Sequence, residues 1–66
     1  MRLYNYTYQI RWCPEEQHFI VSVLELPGVC NDGATADEAI QNVQPDIELA
    51  LILMMDMGRA IPPEVK

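Results

Sequence analysis

Leu26-Pro27-Gly28-Val29-Cys30-Asn31-Asp32-Gly33-Ala34-Thr35-Ala36-Asp37-Glu38-Ala39-Ile40 is the stretch in which the chain passes from strand to helix, and its reading decides the fold. Proline fixes φ at the second position of a turn, and glycine accepts the positive φ that a type II turn requires at the third. Leu26 to Val29 therefore reads as such a turn. A short strand follows near Val29 to Asp32, and Gly33 ends it. Thr35 then opens a helix. Its hydroxyl can accept the Glu38 backbone N–H while the Glu38 side chain reaches back to Thr35, a capping box. Asp37 and Glu38 also suit the positive end of the helix dipole.

Towards the N-terminus the chain alternates. Tyr4, Tyr6, Tyr8, Ile10 and Trp12 fall on one face of a strand, with Asn5, Thr7, Gln9 and Arg11 on the other. Cys13-Pro14-Glu15-Glu16-Gln17 breaks this pattern, and β-formers resume from His18 to Leu26 with Phe19, Val21 and Val23 on a shared face. The two segments read as a hairpin. Towards the C-terminus, Ala36, Ala39, Ile40, Val43, Ile47, Ala50, Leu51, Met54 and Met57 form one apolar stripe at about 3.6 residues per turn. Gly58 suits the position just past the helix, and Pro62-Pro63 forbid its continuation. Pro45 lies within the stripe, where it removes a hydrogen bond and crowds the Gln41 carbonyl. It either kinks one helix or starts a second, and the unbroken phase from Ala36 to Met57 favours one. The expected architecture is α+β: a single domain over residues 1–66, a three-stranded antiparallel meander with one long helix packed on one face.

Sixty-six residues carry ten Asp or Glu against four Lys or Arg, a formal net charge of -6. A domain this small hides only about 60% of its unfolded surface, which disfavours a deep active-site cleft. Nucleic-acid binding needs clustered positive charge, whereas Arg2, Arg11, Arg59 and Lys66 are scattered singly. The charge suits a basic protein partner. No segment approaches the roughly 18 consecutive apolar residues of a membrane span, and the N-terminus lacks a signal peptide's apolar block. A cytoplasmic protein is expected.

Chemistry-bearing residues are sparse. Cys13 and Cys30 are too few for a disulfide framework and read as free thiols. With His18 they are the only soft metal ligands. A meander sets the two cysteines at opposite ends of strand two, roughly 30 Å apart at 3.3 Å per residue, so no metal site is expected. His18 and Ser22 share a face but lie about 13 Å apart, too far for proton transfer. The glycines are isolated and form no phosphate loop. No catalytic residue, cofactor or metal is assigned.

Residues 49–55, Leu-Ala-Leu-Ile-Leu-Met-Met, are apolar all round the helix. Leu49, Ile52 and Leu53 lie opposite the stripe that a three-stranded sheet can cover. They read as an oligomer interface; the alternative is that Ile61-Pro62-Pro63 folds back over them.

Leu26-Pro27-Gly28, Thr35-Ala36-Asp37-Glu38-Ala39-Ile40 and Gly58-Arg59-Ala60-Ile61-Pro62-Pro63, in that order, resemble the HicB-like antitoxin family over nearly the whole chain. The resemblance is to a short form holding the N-terminal domain without the DNA-binding domain that many members carry. It implies a partial ribonuclease-H-like β-β-β-α fold that is not a nuclease. It also implies a homodimer or tetramer that binds a small basic mRNA-endonuclease toxin, HicA-like, and masks its catalytic histidine. Glu15, Glu16, Glu25 and Asp32 are the candidate contacts, chosen for charge at hairpin tips and strand ends around one sheet edge. The reading from another class is a solitary oligomeric interaction module with no toxin.

Overall fold

The computed structural model describes residues 3–65. Arg2 and Lys66, two of the four cations, lie outside that range. In chain order the elements are β1 (Tyr8–Cys13), β2 (His18–Val23), β3 (Cys30–Gly33) and α1 (Ala36–Asp56). The strands form an open antiparallel sheet in the order β1-β2-β3. This is the expected α+β meander with a helix on one face.

Local chemistry explains the connections. The turn after β2 is type II: Gly28 has φ +91 and the Val29 N–H donates to the Leu26 carbonyl at 3.0 Å. Thr35 caps α1, its Oγ1 accepting the Glu38 N–H at 3.1 Å. The other half of the expected box closes one residue earlier, because Glu38 Oε1 accepts from Ala34 N at 3.3 Å rather than from Thr35. At the far end Gly58, at φ +71, permits a Schellman pair: Arg59 N to Met54 O at 2.8 Å and Gly58 N to Met55 O at 3.1 Å. Pro45 is accommodated inside one unbroken helix. Both Pro45 and Gln41 are exposed, so solvent can reach the carbonyl that loses its partner.

Two strands are shorter than their patterns. β1 starts at Tyr8 because the preceding residues are bound elsewhere. Tyr4 N–H donates to Gln44 Oε1 at 2.9 Å, and Gln44 Nε2 donates to the Tyr8 hydroxyl at 2.9 Å and the Ile40 carbonyl at 2.8 Å. The Tyr8 hydroxyl in turn donates to the Tyr4 carbonyl. Gln44 is a buried polar side chain with both ends satisfied, and it ties the N-terminal segment to α1. β2 stops at Val23 because the Leu26 N–H turns back to the Val23 carbonyl at 3.1 Å.

Tyr6, Val21, Val23, Leu26, Ala39, Val43 and Ile47 make the core. α1 lies over β3 and β2 and barely reaches β1. Its approach to β3 is close: a Cβ on Gly33 would stand 2.6 Å from the Ala39 backbone nitrogen. Asn31 Nδ2 holds the pair together, donating to the Asn42 carbonyl at 3.0 Å and Asp46 Oδ2 at 2.7 Å, while Asn42 Nδ2 donates to the Asp32 carbonyl at 2.9 Å.

Two expectations about the apolar stripes are corrected. Met57 is 67% exposed, because a helix of 21 residues, about 32 Å long at 1.5 Å per residue, outruns strands of about 20 Å. Ile10 and Trp12 share the helix-side face with Val21 and Phe19, their register partners, yet stay 43% and 49% exposed because α1 sits to one side.

Gly33→Ala should force α1 off β3. A loss of about 1–3 kcal/mol is expected in urea unfolding, as for overpacked cores; an unchanged midpoint would show that the helix is not held this closely.

Candidate functional site

β3 runs back towards the β1–β2 hairpin, since Gly33 pairs with Phe19, and α1 begins directly after it. The hairpin tip, the end of β3 and the first turn of α1 therefore meet at one end of the molecule. Glu15 and Glu16 lie in the turn, Asp32 on β3, and Asp37 and Glu38 in the helix's first turn, all exposed. Five of the ten carboxylates thus gather around the positive end of the helix dipole. Asp32 Oδ2 lies 3.0 Å from His18 Nδ1.

Glu25 does not belong to this group. It lies in the β2–β3 connection at the opposite end of the sheet, so the expected single edge of Glu15, Glu16, Glu25 and Asp32 is corrected to three residues. Its carboxylate is engaged within the chain: Oε1 accepts the Thr7 N–H at 2.8 Å and Oε2 the Thr7 hydroxyl at 2.7 Å. With the adjoining bond from Leu24 N to the Thr7 carbonyl at 3.0 Å, Glu25 extends the β1–β2 pairing where the strand itself has ended. The Thr7 hydroxyl's hydrogen bond holds the Glu25 carboxyl below the usual carboxylate range.

Cys13, His18 and Cys30 are nearer than the 30 Å expected for the cysteines. Cys13 faces His18 and Cys30 faces Ser22 across the ladder, a spacing of four residues or about 13 Å along β2, because Leu24 to Val29 is turn rather than strand. Both cysteines are free thiols. Among the described residues, no group of His, Cys, Asp or Glu is arranged to hold a metal ion.

At the other end α1 overhangs the sheet. Leu49, Ile52 and Leu53 are 58%, 49% and 52% exposed. The C-terminal segment does not cover them. It lies instead along the N-terminal segment, with Val65 N–H on the Asn5 carbonyl at 2.6 Å and the Tyr6 hydroxyl on the Pro62 carbonyl at 2.9 Å. Beside this face, Leu26, Pro27, Val29, Leu53, Met54 and Met57 line a shallow groove between the type II turn and the helix. The surface is polarised, carboxylates at one end and apolar side chains at the other. Among the described residues, no helix is long and apolar enough to cross a membrane. No family model, curated protein or solved structure matches the chain.

Sequence reading missed Gln44, the Asn31–Asn42–Asp46 clasp and the engagement of Glu25. A glutamine bordering an apolar helix stripe is a weak signal, and Thr7 and Glu25 are paired only by the ladder register.

A carboxylate with a depressed folded pKa contributes stability that is present above its unfolded pKa and lost as pH falls through the folded one. Glu25→Gln should therefore lower stability near neutral pH and flatten the acid limb of the unfolding curve. Identical acid limbs would contradict the Thr7 pairing.

Proposed function

We propose that this chain is an antitoxin-like protein of the HicB-like kind, which binds a small basic mRNA-endonuclease toxin and masks its active site without doing chemistry itself. The observation that carries the reading is the acidic end: Glu15, Glu16, Asp32, Asp37 and Glu38, exposed on the β1–β2 turn, β3 and the first turn of α1 in a β-β-β-α domain. A cluster of one sign steers and orients a partner of the opposite sign. The order of the Leu-Pro-Gly turn, the capped helix and the Gly-x-x-Ile-Pro ending supports it. In this reading Glu15, Glu16 and Asp32 meet the toxin, and Glu25 serves the fold. Leu49, Ile52 and Leu53, left uncovered, join copies of the chain. The exposure of that face also favours the second reading, a solitary oligomeric interaction module.

Expression of a small basic reading frame adjacent to this gene should arrest growth and fragment mRNA, and co-expression of this protein should relieve both. Arrest that it cannot relieve, or no arrest, would reject the antitoxin reading in favour of the module. Glu15→Lys with Glu16→Lys should weaken the complex about tenfold, and the parent affinity should fall as salt rises, since screening acts within about 8 Å at physiological strength. Salt-insensitive binding would place the contact on the apolar surface instead. Leu53→Asp should lower the oligomeric mass while leaving stability within about 0.5 kcal/mol, as for an exposed position.

A further inference from the structure

α1 leaves β1 uncovered in two senses. Its helix-side residues Ile10 and Trp12 are about half exposed, the Trp12 ring tilted 58° to that of Phe19 at 4.9 Å between centroids. Its outer backbone edge is also open. The Leu24 N–H donates to the Thr7 carbonyl, so odd-numbered residues of β1 turn their N–H and C=O groups towards β2. By the alternation of an antiparallel ladder, Tyr8, Ile10 and Trp12 turn theirs away from the sheet. Among the described residues, no backbone hydrogen bond reaches those groups. The C-terminal segment lies against Asn5 and Tyr6, short of this stretch.

We propose that β1 is a self-pairing edge: two copies of this chain join β1 to β1 antiparallel across a two-fold axis, making one continuous sheet with both helices on the same face. This surface is distinct from the Leu49, Ile52, Leu53 face and does not depend on the toxin reading.

The occupant is a second copy because β1 is complementary to itself. Edge strands that avoid pairing are short, charged, bulged or interrupted by proline. Tyr8–Cys13 has no proline, and its three outward-bonding positions, Tyr8, Ile10 and Trp12, bear no charge. The other edge, β3, has four residues and carries Asp32. Register follows from counting. With Ile10 opposite the second copy's Ile10, Tyr8 falls opposite Trp12 in both directions, and all three outward-bonding residues gain partners. The same register sets Gln9 opposite Arg11 on the outer face. Sliding one step along centres the pair on Arg11, opposing two guanidinium groups and setting Tyr8 against Pro14, which has no N–H. Sliding the other way asks Tyr6 to pair, and Tyr6 is buried in the core with its hydroxyl on Pro62. The favoured register also gathers Tyr8, Ile10 and Trp12 of both copies into one apolar floor between the helices. Cross-strand aromatic and β-branched pairs of this kind stabilise sheets.

Backbone amide exchange of the full chain, followed residue by residue against protein concentration, tests the pairing without mutation. The Tyr8, Ile10 and Trp12 amides should be protected at high concentration and lose protection on dilution, while those of Gln9 and Arg11 stay protected throughout. Free exchange of the first set at every concentration would overturn the proposal, as would protection that appears only when a foreign protein is added. Register is read by disulfide formation in the Cys13→Ser, Cys30→Ser background. Ile10→Cys places two thiols across the axis at a Cα separation of about 5.5 Å, within disulfide range, whereas the equivalent pair in Trp12→Cys is about 13 Å out of register. Oxidation should link Ile10→Cys many-fold faster; equal rates, or faster linkage of Trp12→Cys, would refute this register.

Discussion

The approach of α1 to β3 is the constraint on which the other features rest. It needs a residue without a Cβ at Gly33, 2.6 Å from where such an atom would meet the Ala39 nitrogen, and it is fixed in register by the amides of Asn31 and Asn42. A helix docked there covers β3 and β2 and leaves β1's inner face to solvent. It also begins beside the hairpin tip, so its acidic first turn joins Glu15, Glu16 and Asp32. Its length carries its apolar second half beyond the sheet. Acidic end, open strand and overhanging helix are thus three consequences of one packing choice.

A single buried polar side chain closes the other flank. Gln44 satisfies the Tyr4 N–H, the Tyr8 hydroxyl and the Ile40 carbonyl, and the segment it anchors receives the C-terminal residues in turn. The segments around Asn5 and Val65 are thereby committed to each other instead of to the apolar helix face. Buried polar groups specify geometry because leaving any of them unmatched costs about 1–3 kcal/mol.

Much of the fold was legible because its signals are local. The Leu26–Val29 turn, the Thr35 cap, the Gly58 ending and the helical phase through Pro45 each depend on residues within a few positions of one another. The perfect alternation from Tyr4 to Trp12 was a poorer guide. Alternation reports which way side chains point, and cannot report that Tyr4 to Tyr6 leave the sheet or that the helix misses Ile10 and Trp12. The candidate acidic site was half legible: Glu15, Glu16 and Asp32 do gather at one end. Glu25 could not be sorted from them by charge, because its partner Thr7 lies eighteen positions away. Asp37 and Glu38, read as cap and dipole partners, are also part of the acidic end, which only the meander's return towards the hairpin tip reveals.

The surface divides by chemistry: carboxylates gather at one end, while the apolar helix face and β1 lie exposed elsewhere. Backbone amide chemical shifts of this protein, followed while the small basic protein proposed as its partner is titrated in, test that division most directly. The account predicts perturbations centred on Glu15, Glu16, Asp32, Asp37 and Glu38 that fade as salt is raised. Perturbations centred on Leu49 to Met57 or on β1, unchanged by salt, would contradict it.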